Sequence, residues 1–317
     1  MKIFKYILPI FILSALFVAC DTDDEAVVIQ DPYTYEDLYY QNLRDYKASD
    51  HSIAWGWFAD YTQSHSMAIR FLGLPDSLDI CSLWGGIPSD DSTKVNTFYN
   101  PEVAKEMRFV QQTKGIKLVV PTIMRILAFN DNYDFYVTWK NATTQEERLK
   151  AVEQFGDYLL RPVFENDLDG VDLDFEPEGD PIGNYFDYLV EYLGKYVGPM
   201  SENPDKLLCI DYYGQAPSAN TEPYTNWYVN QTYGGSAGRK PFNSCPIEKV
   251  VYTENVGDTW KNGCGQLLNY ASYQPSSGRK GGFGAFYMHR DYANTGWGCN
   301  NYAYFRHGIQ IQNPAIY

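Results

Sequence analysis

Positive charge is scarce in this chain: 25 Lys and Arg stand against 40 Asp and Glu over 317 residues, a formal net charge of −15. No Lys/Arg cluster offers the basic footprint that a phosphate backbone demands, which excludes nucleic acid as a partner. Histidine is scarcer still, with His51, His65, His289 and His307 the only four, and they form no ligand pattern with cysteine at zinc spacings. No metal site is therefore expected. Residues 50–317 lack internal repeats and low-complexity linkers, so a single domain is expected, of the size that closed α/β barrels commonly reach. The apolar run from Ile7 to Ala19 is too short to span a bilayer comfortably, and no basic amphipathic helix offers another route into a membrane.

The most informative stretch is Asp169-Gly170-Val171-Asp172-Leu173-Asp174-Phe175-Glu176. Side chains alternate between the two faces of a β-strand. Asp172, Asp174 and Glu176 therefore share one face, and Val171, Leu173 and Phe175 the other. Such alternation can describe a strand with one solvated side. Here Glu176-Pro177-Glu178-Gly179 stops the strand beside its last carboxylate, and helix-like stretches flank it. An apolar face under helices and an acidic face toward a pocket suit a barrel strand. Enclosing several carboxylates costs several kcal/mol per ion unless they share protons or find partners, which marks the cluster as functional.

Seven further strands are expected, at Ser52–Phe58, Leu78–Trp84, Lys117–Ile123, Leu207–Tyr213, Trp227–Tyr233, Lys249–Glu254 and Gly282–Met288, which makes the acidic strand the fourth of eight. Helices are expected between them. Asn100-Pro101 is an N-cap with a first-turn proline ahead of Val103, Met107 and Val110, and Thr143 with Glu146 reads as a capping box. Tyr185, Phe186, Leu189, Leu193 and Val197 make an apolar stripe, while Gly263–Tyr273 and Asn300–Ile311 supply the last helices. Aromatic residues are abundant, at 16% with 28 Tyr and 7 Trp. Trp55, Trp57, Trp84 and Trp227 lie on or beside strands and can pack in the core or stack on sugar faces. Trp55 and Trp84 are taken as candidate substrate contacts.

The pattern D-G-x-D-x-D-x-E resembles the signature of glycoside hydrolase family 18, and Asp169, Gly170, Asp172, Asp174 and Glu176 fill every specified position. The resemblance covers most of residues 39–290 and implies a (β/α)8 TIM barrel with the motif on its fourth strand. It further implies a retaining hydrolase in which the substrate's own 2-acetamido oxygen attacks the anomeric carbon. Glu176 would be the acid and base, Asp174 would hold the acetamido N–H and stabilise the oxazolinium, and Asp172 would share a proton with Asp174. No metal or organic cofactor is implied. Asn230-Gln231-Thr232-Tyr233 stands where chitinases usually carry Met-x-Tyr, and Pro121-Thr122-Ile123-Met124 replaces their S-x-G-G. Gln-x-Tyr is similar to the endo-β-N-acetylglucosaminidases that cut the core of N-linked glycans, which would give Gln231 and Tyr233 contacts to the acetamido group. An N-glycan or glycoprotein is then the expected substrate. A chitinase acting on chitooligosaccharides, or a glycan-binding protein on the same barrel, are the alternatives; all three acidic residues are present, which favours the enzyme.

Lys2 and Lys5, the apolar run and Ala19-Cys20 resemble a bacterial lipoprotein signal, with Phe17 where such signals usually carry Leu. The expected organisation is a signal peptide at 1–19, a lipidated Cys20, an acidic tether at 20–36 and the barrel at 37–317. Asp21-Thr22-Asp23-Asp24-Glu25 is too polar to fold alone. It is similar to the acidic leaders of surface lipoproteins, which points to the outer membrane facing outward, with the periplasm second and glycan-import machinery a candidate partner. Among the remaining cysteines, Cys81 and Cys209 sit in apolar strands as buried thiols, and Cys245, Cys264 and Cys299 leave room for one disulfide whose pairing is open.

Overall fold

The computed structural model describes residues 34–61 and 66–315. The expected signal peptide, Cys20 and the tether as far as residue 33 lie outside the described residues, as does His65. Eight parallel strands close into a barrel: β1 (Ile53–Phe58), β2 (Ile80–Leu83), β3 (Lys117–Ile123), β4 (Gly170–Phe175), β5 (Leu207–Tyr212), β6 (Trp227–Asn230), β7 (Val250–Asn255) and β8 (Gly282–Phe286). Each pairs with its chain neighbours, and β1 closes the ring against β8. The fold is a TIM barrel, with the acidic strand fourth as expected. β6 ends at Asn230 and not at Tyr233, because Tyr233 takes a left-handed φ of 35° and turns the chain into Gly234.

The helical layer is less regular than the strands. The described helices are α1 (Asp37–Ala48), α2 (Pro101–Arg108), α3 (Asp134–Asn141), α4 (Gln145–Glu165), α5 (Phe186–Leu193), α6 (Val256–Thr259), α7 (Leu267–Ser272) and α8 (Ala303–Gln312). Asn100 caps α2 as expected, its Oδ1 accepting from the Val103 amide at 3.2 Å. The capping box of α4 is shifted by one residue from the expected Thr143 and Glu146. Thr144 is the N-cap, and the Glu147 carboxylate accepts from the amides of Thr143 and Thr144 at 2.7 and 3.0 Å. Between β5 and β6, and again between β6 and β7, short 3-10 turns at Ala219–Tyr224 and Ile247–Lys249 stand where a regular alternation would place α-helices. Pro217 and Pro223 in the first connection, and Gly234, Gly235, Pro241 and Pro246 in the second, deny a helix the amide donors and backbone order it needs.

Inside the barrel, Ile53, Trp55, Trp57, Ile80, Val119, Cys209, Val229 and Val251 form one apolar plug, distinct from the larger core between strands and helices. This is the filled interior of a small barrel, a core and not a pore. β8 contributes Gly282 and Gly284 next to β1, and a Cβ on Gly284 would stand 2.5 Å from the Trp55 carbonyl oxygen. Small residues on β8 thus let β1 carry two tryptophans inward. Among the described residues Cys81, Cys209, Cys245, Cys264 and Cys299 are all free thiols, so the disulfide left open by the spacing is not formed. No described helix is long and apolar enough to cross a membrane.

The first half of the acidic motif is structural. Asp169 lies at the entry to β4, where its Oδ2 accepts from the Leu118 amide at 2.9 Å and from Gln111 Nε2 at 2.8 Å, pinning β4 to β3. Gly170 has a φ of 153°, and a Cβ there would collide with the Leu207 backbone of β5. Gly170→Ala is expected to destabilise the barrel by about 2–5 kcal/mol, from backbone strain together with overpacking. Denaturant unfolding of both proteins checks this, and a loss below about 0.5 kcal/mol, the level of a neutral surface change, would remove the steric argument.

Candidate active site

Strand alternation and register assemble the site at the C-terminal mouth of the barrel, above the tryptophan plug. Asp172 and Asp174 project inward from β4, and Glu176 follows at the rim just past the strand end. Asp211 on β5 is the in-register partner of Asp174, so two carboxylates stand side by side on adjacent strands. Asp172, Asp174 and Asp211 are all buried, at 0, 5 and 1% exposure. Trp57 Nε1 and Ser82 Oγ donate to Asp172 Oδ2 at 2.9 and 2.7 Å. Gln231, just beyond β6, spans the next gap: its Nε2 donates to Asp211 Oδ1 at 2.8 Å and to Asp174 Oδ1 at 3.3 Å.

Glu176 is the most accessible of the four acids, with a side chain 23% exposed. Arg125, from the end of β3, donates through Nε to the Glu176 carbonyl at 2.7 Å. Its Nη2 lies 3.7 Å from Glu176 Oε2 and 2.9 Å from Glu178 Oε2. The guanidinium therefore fixes the backbone under the acid while its charge goes mainly to Glu178. Burial, and then the charge of Asp174, raise the Glu176 carboxyl above the usual range, and Arg125 opposes them. Burial likewise raises Asp174, while hydrogen bonds from Asp211 and Gln231 hold it down.

Tyr233 is held in its left-handed turn by its amide, which donates to the Thr253 carbonyl at 3.1 Å. Burial raises its phenol well above the usual value, and so do the charges of Asp211, Asp174, Glu176 and Asp172 in turn. Its ring lies 6.0 Å from Tyr213 and 6.3 Å from Phe286. Trp84 meets the same Phe286 edge-on at 5.4 Å and is half-buried at the rim. It also lines a cavity of about 320 Å³ with Gly86, Thr122, Ile123 and Tyr158, and none of the four carboxylates lines that cavity.

Trp55 departs from expectation. It is fully buried inside the plug, edge-on to Trp57, and has no ring face free for a sugar. The structure thus brings together Glu176, Asp174, Asp172, Gln231, Tyr233 and Trp84, and removes Trp55. It adds Asp211, Trp57, Ser82, Arg125, Tyr213 and Phe286. Asp211 left one sequence signal, a carboxylate at an alternate position in the apolar strand Leu207–Tyr212; only the register against β4 gives that signal meaning. Among the described residues no group of His, Cys, Asp and Glu could hold a metal ion.

A closed parallel barrel with four carboxylates at its mouth defines an enzyme of the TIM-barrel class that works by carboxylate chemistry. Residues 19–284 match the family described as glycoside hydrolase family 18, BT1044-like, and the chain belongs to that family and is a glycoside hydrolase. A curated relative, endo-beta-N-acetylglucosaminidase F2 of Elizabethkingia meningoseptica, is 24% identical over 350 residues, covering 98% of each chain. Among solved structures, a selenomethionine BT1044 variant with a Glu-to-Gln change superposes with a TM-score of 0.72 at 21% identity, over 88% of this chain and 93% of the other. An endo-beta-N-acetylglucosaminidase mutant from Cordyceps militaris, in complex with fucosyl-N-acetylglucosamine-Asn, gives 0.62 at 21% identity over 90% and 98%. A family 18 chitinase from Pseudoalteromonas aurantia gives 0.52 at 15% identity over 82% and 100%. At these identities the structural matches speak for the fold.

Burial is the main force that pushes Asp172 up to about 7; the charge of Asp174 adds to it, and the hydrogen bonds from Ser82 and Trp57 oppose it. A carboxyl whose folded pKa is raised binds its proton more tightly when folded. That stabilisation is complete below the unfolded pKa of about 4 and is lost as pH rises through about 7. Asp172→Asn removes the titration and keeps an oxygen for Trp57 and Ser82. The stability of Asp172→Asn relative to the native protein is expected to rise by on the order of 3 kcal/mol between pH 4 and pH 8. Urea unfolding at both pH values measures it, and a difference that does not move with pH would contradict the raised pKa.

Proposed function

We propose that the protein is a retaining endo-β-N-acetylglucosaminidase that cleaves the GlcNAc-β-1,4-GlcNAc core of N-linked glycans with the help of the substrate's acetamido group. The observation that carries this reading is the single amide of Gln231 joining Asp174 and Asp211, with Glu176 at the rim above them. An acetamido group seated there would give its N–H to Asp174. Its carbonyl oxygen would then be aimed at the anomeric carbon, with Tyr233 and Gln231 on the flank. Glu176, whose carboxyl is raised by burial and by the charge of Asp174, gives its proton to the departing glycosidic oxygen. As the oxazolinium forms, its positive charge falls against ionised Asp174 inside a low-dielectric mouth, where that attraction is strongest. Glu176, now ionised, takes a proton from water as water opens the intermediate, and the sugar leaves with its original configuration.

The aromatic rim of Trp84, Phe286, Tyr233 and Tyr213 offers apolar faces to sugar rings. The similarity to endo-beta-N-acetylglucosaminidase F2 along nearly the whole chain supports the endo-acting reading over chitin hydrolysis. Lipidation at Cys20 and an outward-facing place on the outer membrane belong to the same reading, and they rest on residues 1–25 of the sequence.

Mass spectrometry of an N-glycosylated protein incubated with the soluble chain lacking residues 1–20 tests the activity. The expected product carries one GlcNAc on each processed asparagine. Glu176→Gln is expected to abolish cleavage and still bind glycan, and Asp174→Asn to slow it by about 10²–10⁴-fold. An intact glycoprotein alongside hydrolysed chitooligosaccharides would make the enzyme a chitinase, and binding without turnover of either would make it a glycan-binding protein. For the anchor, Cys20→Ser is expected to move the full-length chain from the membrane fraction to the soluble fraction; a variant still wholly in the membrane fraction would rule out the lipid anchor.

A further inference from the structure

Asp211 is 1% exposed and belongs to neither the acidic motif nor any signal the family resemblance supplied. Three of its surroundings constrain it. Asp174 is its in-register neighbour on β4, with Asp172 one inward position deeper on that strand. Gln231 Nε2 occupies its Oδ1 at 2.8 Å. Its Oδ2 is buried with no donor, as is Asp172 Oδ1. Unpaired buried carboxylate oxygens are costly, and three adjacent carboxylates resist ionising together. A proton on Asp211 Oδ2 removes one charge from the cluster and turns an orphaned acceptor into a donor.

We propose that Asp211 is a positioning residue that stays protonated through the working range, donates to the β4 carboxylates and clamps Gln231, so that Asp174 meets the acetamido group ionised and correctly aimed. The roles of Asp174 and Gln231 rest on the function proposed above. Every group around Asp211 bears on the assignment. Asp172 and Asp174 face it from β4, Gln231 and Tyr233 from the end of β6, and Cys209 from its own strand, while Arg125 sends positive charge to Asp174 and Glu176 from β3. Burial first, and then Asp172 and Asp174, raise the Asp211 carboxyl well above its usual value, whereas the hydrogen bond from Asp211 lowers both neighbours. The proton therefore rests on β5 and its benefit falls on β4.

Two substitutions and one spectroscopic readout test this. Asp211→Asn copies a neutral acid: its amide N–H donates to Asp174 and its oxygen accepts from Gln231. It is expected to recover most of the kcat that Asp211→Leu loses, because it keeps both hydrogen bonds in the same volume. Asp211→Leu fills the space without a donor or an acceptor. Its kcat is expected to fall at least about 30-fold, with the acid limb of the kcat profile moved up by about one pH unit as Asp174 loses the bond that held it ionised. A purely structural role would lower thermal stability in Asp211→Leu and leave that limb in place, and this outcome would overturn the proposal. So would Asp211→Asn as damaged as Asp211→Leu, which would mean the charge on Asp211 is what matters.

Carbon-13 NMR of aspartate carboxyl carbons separates the proposal from the function it rests on, because it needs no substrate. The resonance lost in Asp211→Asn is expected at the protonated position at pH 7 in the native protein, and an ionised position there would overturn the proposal. The kinetic arm uses whichever substrate the native chain turns over, N-glycan or chitooligosaccharide, since both carry the acetamido group. Native protein that cleaves chitooligosaccharides alone, with Asp211 protonated, would overturn the substrate assignment and leave the role of Asp211 standing.

Discussion

Carboxyl groups crowded into the mouth of a barrel are the constraint on which the site depends. Asp172, Asp174 and Asp211 are all buried within one barrel mouth, and burial opposes the ionisation of each. The surrounding structure answers that cost group by group. Trp57 and Ser82 give Asp172 two donors on one oxygen, Gln231 bridges Asp174 and Asp211, and Arg125 supplies positive charge at the rim without pairing closely with Glu176. The result is a graded set of carboxyls, from Asp172 and Asp211 sealed within the barrel to Glu176 open at the rim.

That arrangement needs a rigid floor, and the tryptophan plug supplies it. Trp57 belongs to the plug and also donates to Asp172, so packing below and hydrogen bonding above are linked through one side chain. β8 makes room with Gly282 and Gly284, while Gly170 lets β4 lie close to β5. The register of that pair places Asp174 beside Asp211. The irregular helical layer between β5 and β7 leaves this mouth intact, because the strands and not the helices orient the inward side chains.

Much of this was legible in the sequence because it is local. Alternation along residues 169–176 sorted the carboxylates from the apolar residues, and all eight strands lie where β-type patterning puts them. Asn100-Pro101 and the Thr-rich start of α4 announced helix starts, the second displaced by one residue because Thr143 and Thr144 both offer amides to Glu147. Trp55 was misread because one-dimensional pattern does not distinguish an inward side chain deep in a barrel from one at its rim. Only height along the axis separates Trp55 from Trp84, and that height is set by strand stagger.

What the sequence determined by itself was the fold class and the acids of the motif, since alternation of period two and the signature from Asp169 to Glu176 survive without knowledge of any neighbouring strand. The tertiary structure decided which other residues join them. Asp211, Gln231, Ser82, Trp57 and Arg125 come from five different strands or strand ends, and none is near β4 in the chain. Their meeting depends on barrel closure and register. A shift of one residue in β5 would turn Asp211 outward into the apolar layer, and no pattern within Leu207–Tyr212 alone fixes that register.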